Sequence, residues 1–186
     1  MGEAALELKK LSAEQYLAEE QARAYKCEYV DGKLYAFAGA TDRHNRVAGN
    51  IFFRVRQALG AGPCRAYISD MKLRVRAEQA DRFYYPDVMV TCSEKDDANL
   101  YKVAPSLLVE VMSPSTASTD RREKRVAYQS IPELNAYLIV NPDERYVEHY
   151  RRDAEGWSDH EYRDDGVVKL PDLQLELTLT DIYEGL

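Results

Sequence analysis

Residues 107–116, LLVEVMSPST, carry the clearest fold signal in the chain. The first six residues form a nearly continuous apolar run, as expected of a central strand that is covered on both faces, and Ser113-Pro114 then ends it. Glu110 is the ionisable residue inside this run, and a buried charge requires a partner or a metal ion. Because its same-face neighbours are Leu108 and Met112, that partner has to come from another element.

The residues after this strand predict a strand–loop–helix unit. Asp120 and Glu123 open a helix that has to end near Ser130, since Pro132 disfavours helix just before it. An ammonium at Lys124 can point towards the end of the Glu110 strand and stabilise charge that develops on a phosphorane; the alternative is a lysine that snorkels at the helix edge. Lys124 lies on the helix face that carries the apolar contacts, in a stripe at helical spacing that comprises Arg121, Lys124, Ala127, Tyr128 and Ile131.

Asp87 is the candidate partner for Glu110. It follows Tyr85-Pro86 at the start of a strand, whereas Glu110 lies near the end of its own strand, so the two meet if these strands are antiparallel neighbours. Two such carboxylates repel each other unless one is protonated or a cation bridges them, and hard oxygen ligands favour Mg²⁺ or Mn²⁺. The alternatives are ordinary turn chemistry for Asp87 and a structural ion pair for Glu110.

Patterns elsewhere predict a mixed α/β (α+β) fold in which strands outnumber helices. No repeat or low-complexity linker divides the chain, so we predict a single domain over residues 1–186. The expected elements are a helix over roughly 13–22, an Asp31-Gly32 hairpin within 28–37, a helix from Thr41 or Asp42 to before Gly60, and strands near 72–76, 87–91, 134–140, 146–150, 157–162 and 173–177.

The composition restricts the class of protein. The chain has 25 Lys and Arg against 32 Asp and Glu, and this net charge of −7 argues against a general polyanion-coating protein but not against a nuclease with catalytic acids. Cys27, Cys64 and Cys92 form no CxxC motif, so we expect neither a disulfide framework nor a zinc site, and a reducing cytosol is the natural location. The chain lacks a secretory h-region and any apolar stretch near about 18 residues, so we expect a cytoplasmic protein without a membrane segment.

The motifs in combination resemble the Uma-two-type endonucleases of the PD-(D/E)xK, or restriction-endonuclease-like, superfamily. The resemblance implies a restriction-endonuclease-like core with a central, mostly antiparallel or mixed sheet flanked by helices. It spans almost the entire chain and rests on Glu28–Tyr35, Arg43–Arg46, Tyr85-Pro86-Asp87, Val109–Thr116 and Asp120–Lys124 with Tyr128.

The resemblance also implies roles for individual residues. Asp87 and Glu110 would be metal-binding carboxylates, with the Val111 backbone carbonyl as a third ligand for Mg²⁺ or Mn²⁺. Met112 occupies the place where the usual superfamily motif has a lysine, and Lys124 on the next helix is taken to substitute for it. If Lys124 does not substitute for that lysine, the fold can persist without catalysis.

Two further residues are candidates for the site. Glu28 resembles the early acidic position of the family, which helps to hold a metal or orient its water; the alternative is an exposed strand acid. His44 lies in the first turn of its helix, on the stripe that faces inward. We interpret it as a hydrogen-bonded core or rim histidine, with general acid–base chemistry as the alternative.

The expected function is metal-dependent hydrolysis of DNA phosphodiester bonds by a homodimer, with residues 146–162 as a candidate interface. Alternatives are a catalytically silent domain of the same fold that acts as an oligomeric binding or regulatory module, and a metal hydrolase of another substrate. Basic clusters are candidate contacts to the DNA backbone: Arg43 with Arg46, Arg54 with Arg56, Lys72 with Arg74 and Arg76, and Arg121 with Arg122 and Arg125. The alternative is that these residues form solvated surfaces and pair with nearby acids.

Overall fold

The structure is a computed structural model that describes residues 11–36, 39–77, 80–94, 96–113 and 120–186. Its helices are α1 (Ala13–Glu20), α2 (Asp42–Leu59), α3 (Arg125–Gln129) and α4 (Leu179–Ile182), with a π-helical turn (Asp120–Lys124) directly before α3 and a 3₁₀ turn (Pro171–Leu173). Its strands are β1 (Cys27–Val30), β2 (Lys33–Ala36), β3 (Arg65–Ile68), β4 (Lys72–Ala77), β5 (Ala80–Tyr84), β6 (Val88–Thr91), β7 (Tyr101–Lys102), β8 (Pro105–Val111), β9 (Ala136–Asn141), β10 (Tyr146–Asp153), β11 (Gly156–Arg163), β12 (Val167–Leu170) and β13 (Leu175–Thr178).

Within these ranges the strands form two main sheets and a small hairpin. Sheet A has the order β2-β1-β5-β4-β7, sheet B has the order β11-β10-β9-β8-β6-β3, and β12 pairs with β13. Sheet B is mixed, because the crossover through α3 makes β8 and β9 parallel whereas its other neighbours run antiparallel. The predicted mixed α+β fold with a mostly antiparallel central sheet is confirmed.

Sheet B is covered on both faces, which explains the apolar run in β8. One face packs against α2 and α4 through residues such as Val109 and Ile51. The other face packs against sheet A and α3 through residues such as Leu108 and Tyr128. Two-sided burial of this strand matches the sequence prediction, and it leaves Glu110 between the two sheets.

The Asp31-Gly32 turn forms the predicted hairpin and orients Glu28. Both turn residues have positive φ, +51° and +90°, as a type I′ turn requires. Successive residues of a strand face opposite sides of the sheet, so Tyr29 packs near α1 while Val30 packs in the core between the sheets. Glu28, two residues before Val30, faces the same side as Val30. Phe37, the last residue of the predicted hairpin, lies outside the described residues.

Thr41 caps α2 and so places His44 in its first turn. The Thr41 hydroxyl accepts a hydrogen bond from the backbone N–H of His44 at 3.2 Å, and the helix ends at Gly60, whose φ is +50°. The buried stripe of α2 lies on sheet B, as predicted from its helical period. No helix in the described ranges is long and apolar enough to cross a membrane.

The expectation that the cysteines form no disulfide is wrong. Arg65 pairs with Thr91 at the end of the β3–β6 ladder, so Cys64 and Cys92 lie just beyond it with their Cα atoms 4.1 Å apart, and they are joined by a disulfide. Cys27 is free and buried. The two cysteines are 28 residues apart in sequence, so no local pattern indicated this contact, which exists because the two strands pair.

Other departures from the predictions lie at element ends and in short strands. The helix predicted from Asp120 begins as a π-helical turn, and the strand predicted from Leu134 begins at Ala136. The loop residues 114–116 lie outside the described residues. Four strands and one helix were not predicted from the sequence, because they are short or irregular in pattern: β3, β5, β7, β12 and α4.

Candidate active site

Asp87 lies beside the end of β8, as the predicted antiparallel pairing requires. Val88 pairs with Val109, and one further step in this register brings Asp87 opposite Glu110. The backbone N–H of Val111 donates to Asp87 Oδ2 at 2.7 Å, and Asp87 is only 8% exposed. The connection between sheets A and B thus holds this carboxylate against the strand that carries Glu110.

Glu110 is 4% exposed, and its charge is compensated from α3 and the turn before it. Glu110 Oε1 accepts hydrogen bonds from the Tyr128 hydroxyl at 2.7 Å and from Lys124 Nζ at 3.2 Å. Burial, and then the neighbouring Glu110 carboxylate, raise the pKa of Tyr128 well above its usual value, so the phenol stays a donor. Lys124 and Tyr128 reach the same oxygen because residues four apart share one helix face.

Lys124 also contacts the opposite sheet through Glu28. Lys124 Nζ lies 3.0 Å from Glu28 Oε1, and the same oxygen accepts the backbone N–H of Tyr85 at 3.3 Å. Lys124 is 2% exposed and packs over the Tyr84 ring, with Nζ 5.7 Å from its centroid. Lys124 is therefore not a snorkelling lysine at the helix edge, and Glu28 is not an exposed strand acid.

His44 completes the group from the other side of sheet B. Its Nε2 lies 3.3 Å from Asp87 Oδ2, and its side chain is 15% exposed. This position at the rim agrees with the hydrogen-bonded interpretation of His44, while an acid–base role stays a prediction. The candidate residues thus form two groups, Glu28–Lys124–Glu110 and His44–Asp87, which adjoin at Glu110 and Val111 of β8 and come from five separate parts of the chain.

The donor atoms of this group fit a hard divalent cation. Three carboxylates face one ammonium and one imidazole, and Asp87 and Glu110 supply the oxygen donors that Mg²⁺ and Mn²⁺ prefer. The N–H and C=O of one strand residue point to the same strand edge, so the Val111 carbonyl lies on the Asp87 side. In the part of the chain that the structure describes, no three His, Cys, Asp or Glu side chains form a metal site, so the remaining ligands would be main-chain oxygen and water.

Several of the predicted basic contacts are paired with acids. Arg54 lies 2.9 Å from Asp181, and Arg74 forms two hydrogen bonds to Asp81. Arg43, in a third cluster, has its Nε 3.5 Å from an Asp143 oxygen. These arginines therefore carry structural ion pairs, as the alternative reading of the clusters expected.

Two residues that contact the site, Tyr128 and Glu148, were not predicted as site residues. Tyr128 was named only as part of the stripe and the motif, although a hydroxyl four residues after Lys124 on a buried stripe is a signal for a shared partner. Glu148 is 8% exposed and accepts hydrogen bonds from Tyr150 at 2.8 Å and Arg121 at 2.7 Å. This network anchors the π-helical turn that carries Lys124, and no local pattern indicated it.

Comparisons with known proteins agree with this fold. Two uncharacterised proteins of Synechocystis sp. are similar in sequence. The protein slr1290 is 32% identical over 179 residues, which cover 95% of this chain and 93% of that protein. The protein sll1609 is 33% identical over 145 residues, which cover 76% of this chain and 81% of that protein. The crystal structure of a "putative nuclease belonging to DUF820" from Anabaena variabilis superposes with a TM-score of 0.74 over 93% of this chain and 97% of that one. At 17% identity this likeness concerns the fold.

A family model also matches most of the chain. The model is described as "Putative restriction endonuclease", and it matches residues 13–181, which include every candidate site residue. The chain therefore belongs to the Uma2 family.

Proposed function

We propose that this protein is a divalent-metal-dependent endonuclease that hydrolyses DNA phosphodiester bonds with Mg²⁺ or Mn²⁺. The observation that carries the proposal is the pair of buried acids Asp87 and Glu110, which the antiparallel register of β6 and β8 brings opposite each other, with the Lys124 ammonium 3.2 Å from a Glu110 oxygen. Membership of a family described as restriction endonucleases, and a structural neighbour described as a nuclease, support the same class of activity.

The oxygen donors would hold the cation. Asp87, Glu110 and the Val111 carbonyl are the proposed ligands, and His44 would orient Asp87 through the contact at Oδ2. A bound divalent ion supplies two kinds of chemistry, a lowered pKa of bound water and stabilisation of the attacking and leaving oxygens. The Tyr128 hydroxyl would keep Glu110 in one orientation.

Lys124 would act on the phosphate itself. Its ammonium is held 3.2 Å from a Glu110 oxygen and is shielded from bulk water. A cation that neighbouring carboxylates hold in such a place stabilises negative charge that develops on phosphate oxygens. Lys124 would thus replace the lysine of the usual superfamily motif, whose position is occupied here by Met112.

A plasmid assay tests the proposal. Supercoiled DNA is incubated with wild type and with the variants Asp87→Asn, Glu110→Gln and Lys124→Met, each with Mg²⁺ and with Mn²⁺. Lys169→Met serves as the control, since Lys169 is an exposed lysine in a surface pair with Glu176. We expect cleavage by wild type and control, and a loss of at least about 100-fold in the three site variants. Cleavage by Asp87→Asn at the wild-type rate would refute the assignment.

The second candidate is a catalytically silent domain that acts as an oligomeric binding or regulatory module. The observation that favours it is the closed ion-pair network of Glu28, Lys124 and Glu110, which satisfies the buried charges without a metal. A folded wild type that neither binds Mn²⁺ in calorimetry nor cuts DNA would support this candidate and exclude the nuclease.

Homodimerisation and a cytoplasmic location remain proposals. Within the proposed interface, residues 146–162, the strand β11 forms one edge of sheet B and is largely exposed, whereas the first five residues of β10 are buried, so β11 is the part that a second copy could contact. Light scattering coupled to size exclusion would measure the mass of the particle, and a monomer at micromolar concentration would contradict the dimer. The cysteine pattern no longer supports a reducing compartment, because Cys64 and Cys92 are joined.

A further inference from the structure

The ammonium of Lys124 is shared between two carboxylates that belong to different sheets. It lies 3.0 Å from Glu28 Oε1 on sheet A and 3.2 Å from Glu110 Oε1 on sheet B. All three side chains are largely buried, with 3%, 14% and 6% of the Lys124, Glu28 and Glu110 side chains exposed. In this arrangement a proposed metal ligand already has a cation beside it.

A divalent ion at Asp87 and Glu110 has to share this space with the ammonium. Like charges in a partly desolvated site repel each other strongly, because water screens them little. The repulsion falls when the ammonium leaves Glu110 and stays with another carboxylate. Glu28 is that carboxylate, since its oxygen is already the nearer of the two.

Glu28 itself is held in place independently of Lys124. The backbone N–H of Tyr85 donates to the same Glu28 oxygen at 3.3 Å, and Glu28 lies in the β1–β2 ladder opposite Tyr35. A movement of the ammonium by a side-chain rotation towards Glu28 therefore requires no movement of the backbone. Glu110 keeps the Tyr128 hydroxyl as its second donor when the ammonium departs.

We propose that the Lys124 ammonium pairs with the Glu110 carboxylate while no metal is bound. Glu28 is then a positioning residue, which keeps the ammonium beside its own carboxylate and away from Glu110 when a divalent cation binds. This inference rests on the proposed function, because it assumes a cation at Asp87 and Glu110. It assigns Glu28 a role through Lys124, whereas the family resemblance implied that Glu28 holds the metal or its water directly.

The two roles of Glu28 differ in how its substitution interacts with that of Lys124. If Glu28 acts through Lys124, Glu28→Gln weakens Mn²⁺ binding only while the lysine is present, because a neutral amide no longer holds the ammonium away from Glu110. If Glu28 contacts the metal or its water, the substitution weakens binding by the same factor whether or not the lysine is present. A double-mutant cycle separates the two cases.

Calorimetric titration with Mn²⁺ provides the test, using wild type, Lys124→Met, Glu28→Gln, the double variant and Lys169→Met as the control. We expect Lys124→Met to bind Mn²⁺ about tenfold more tightly than wild type, although the same variant loses cleavage. Glu28→Gln is expected to weaken binding about tenfold alone and by less than about twofold in the Lys124→Met background. The control should match wild type.

Nuclear magnetic resonance of the lysine ¹⁵Nζ groups adds a measurement on the wild-type chain, which does not depend on how the variants fold. The Lys124 signal should shift as Mg²⁺ is added, at the concentration at which calorimetry detects binding, while the Lys169 signal stays constant. A Lys124 signal that does not respond would overturn the inference.

The outcomes distinguish this inference from the function on which it rests. Mn²⁺ binding that Asp87→Asn abolishes, combined with unchanged or weaker affinity in Lys124→Met, overturns the inference and leaves the metal-dependent nuclease in place. An equal loss from Glu28→Gln in both backgrounds does the same. A wild type that binds no Mn²⁺ overturns the proposed function, and the inference with it.

Discussion

His149 makes the fold sensitive to acid, and the structure indicates by how much. The side chain is 1% exposed on β10, and neither ring nitrogen has a hydrogen-bond partner among the residues that the structure describes. Burial, and then the charges of His160 and Arg151, lower the pKa of His149 from 6.5 to about 4. Between these two pH values, His149 is therefore protonated in the unfolded chain and neutral in the folded protein.

The sign and size of the effect follow from this difference in pKa. Stability rises with pH wherever the unfolded state binds more protons, so it falls as the pH drops from about 6.5 to about 4. The difference between the two pKa values corresponds to about 3 kcal/mol over the whole window, since each pH unit contributes about 1.4 kcal/mol. Above pH 7 the group contributes no penalty, since it is neutral in both states.

Urea denaturation at several pH values between 7 and 4.5 measures the effect in wild type, His149→Leu and the control His160→Gln. His160 lies directly opposite His149 on β11 but is exposed. We expect acidification to cost wild type about 2 to 3 kcal/mol more than His149→Leu. His160→Gln should lose slightly less than wild type, because burial is the main cause of the low His149 pKa and the His160 charge is a smaller one. An equal loss of stability on acidification in His149→Leu and wild type would refute this role of His149.

Three further substitutions test individual contacts by chemical denaturation. Tyr128→Phe removes the hydrogen bond to Glu110, a charged acceptor, and should cost about 2 kcal/mol; a loss below about 0.5 kcal/mol would show that this bond is not needed. Cys64→Ser should cost about 3 kcal/mol, because Cys92 then no longer closes a loop of 28 residues in the unfolded chain, and wild type with reductant should behave alike; an unchanged midpoint in both would contradict the disulfide. Thr41→Ala removes the cap of α2 and should cost about 1 kcal/mol, whereas Thr41→Ser should cost little, and equal losses in both would exclude the cap as the cause.

Local patterns in the sequence predicted the elements that build the site. The helical stripe of α2, the Asp31-Gly32 turn and the apolar run of β8 each depend on neighbours within a few residues, so no knowledge of the fold was needed. The pairing of Asp87 with Glu110 also followed from order along the chain, because the start of one antiparallel strand lies beside the end of its neighbour.

Only the tertiary structure decided which charges and thiols meet. Lys124 bridges Glu28 and Glu110 because sheet A and α3 pack against the same face of sheet B, and that packing leaves no periodic signal. The Cys64–Cys92 disulfide likewise depends on the pairing of β3 with β6. The sequence by itself thus determined the local elements and the order of the carboxylates, whereas contacts between distant residues required the three-dimensional arrangement, because they depend on the packing of whole sheets.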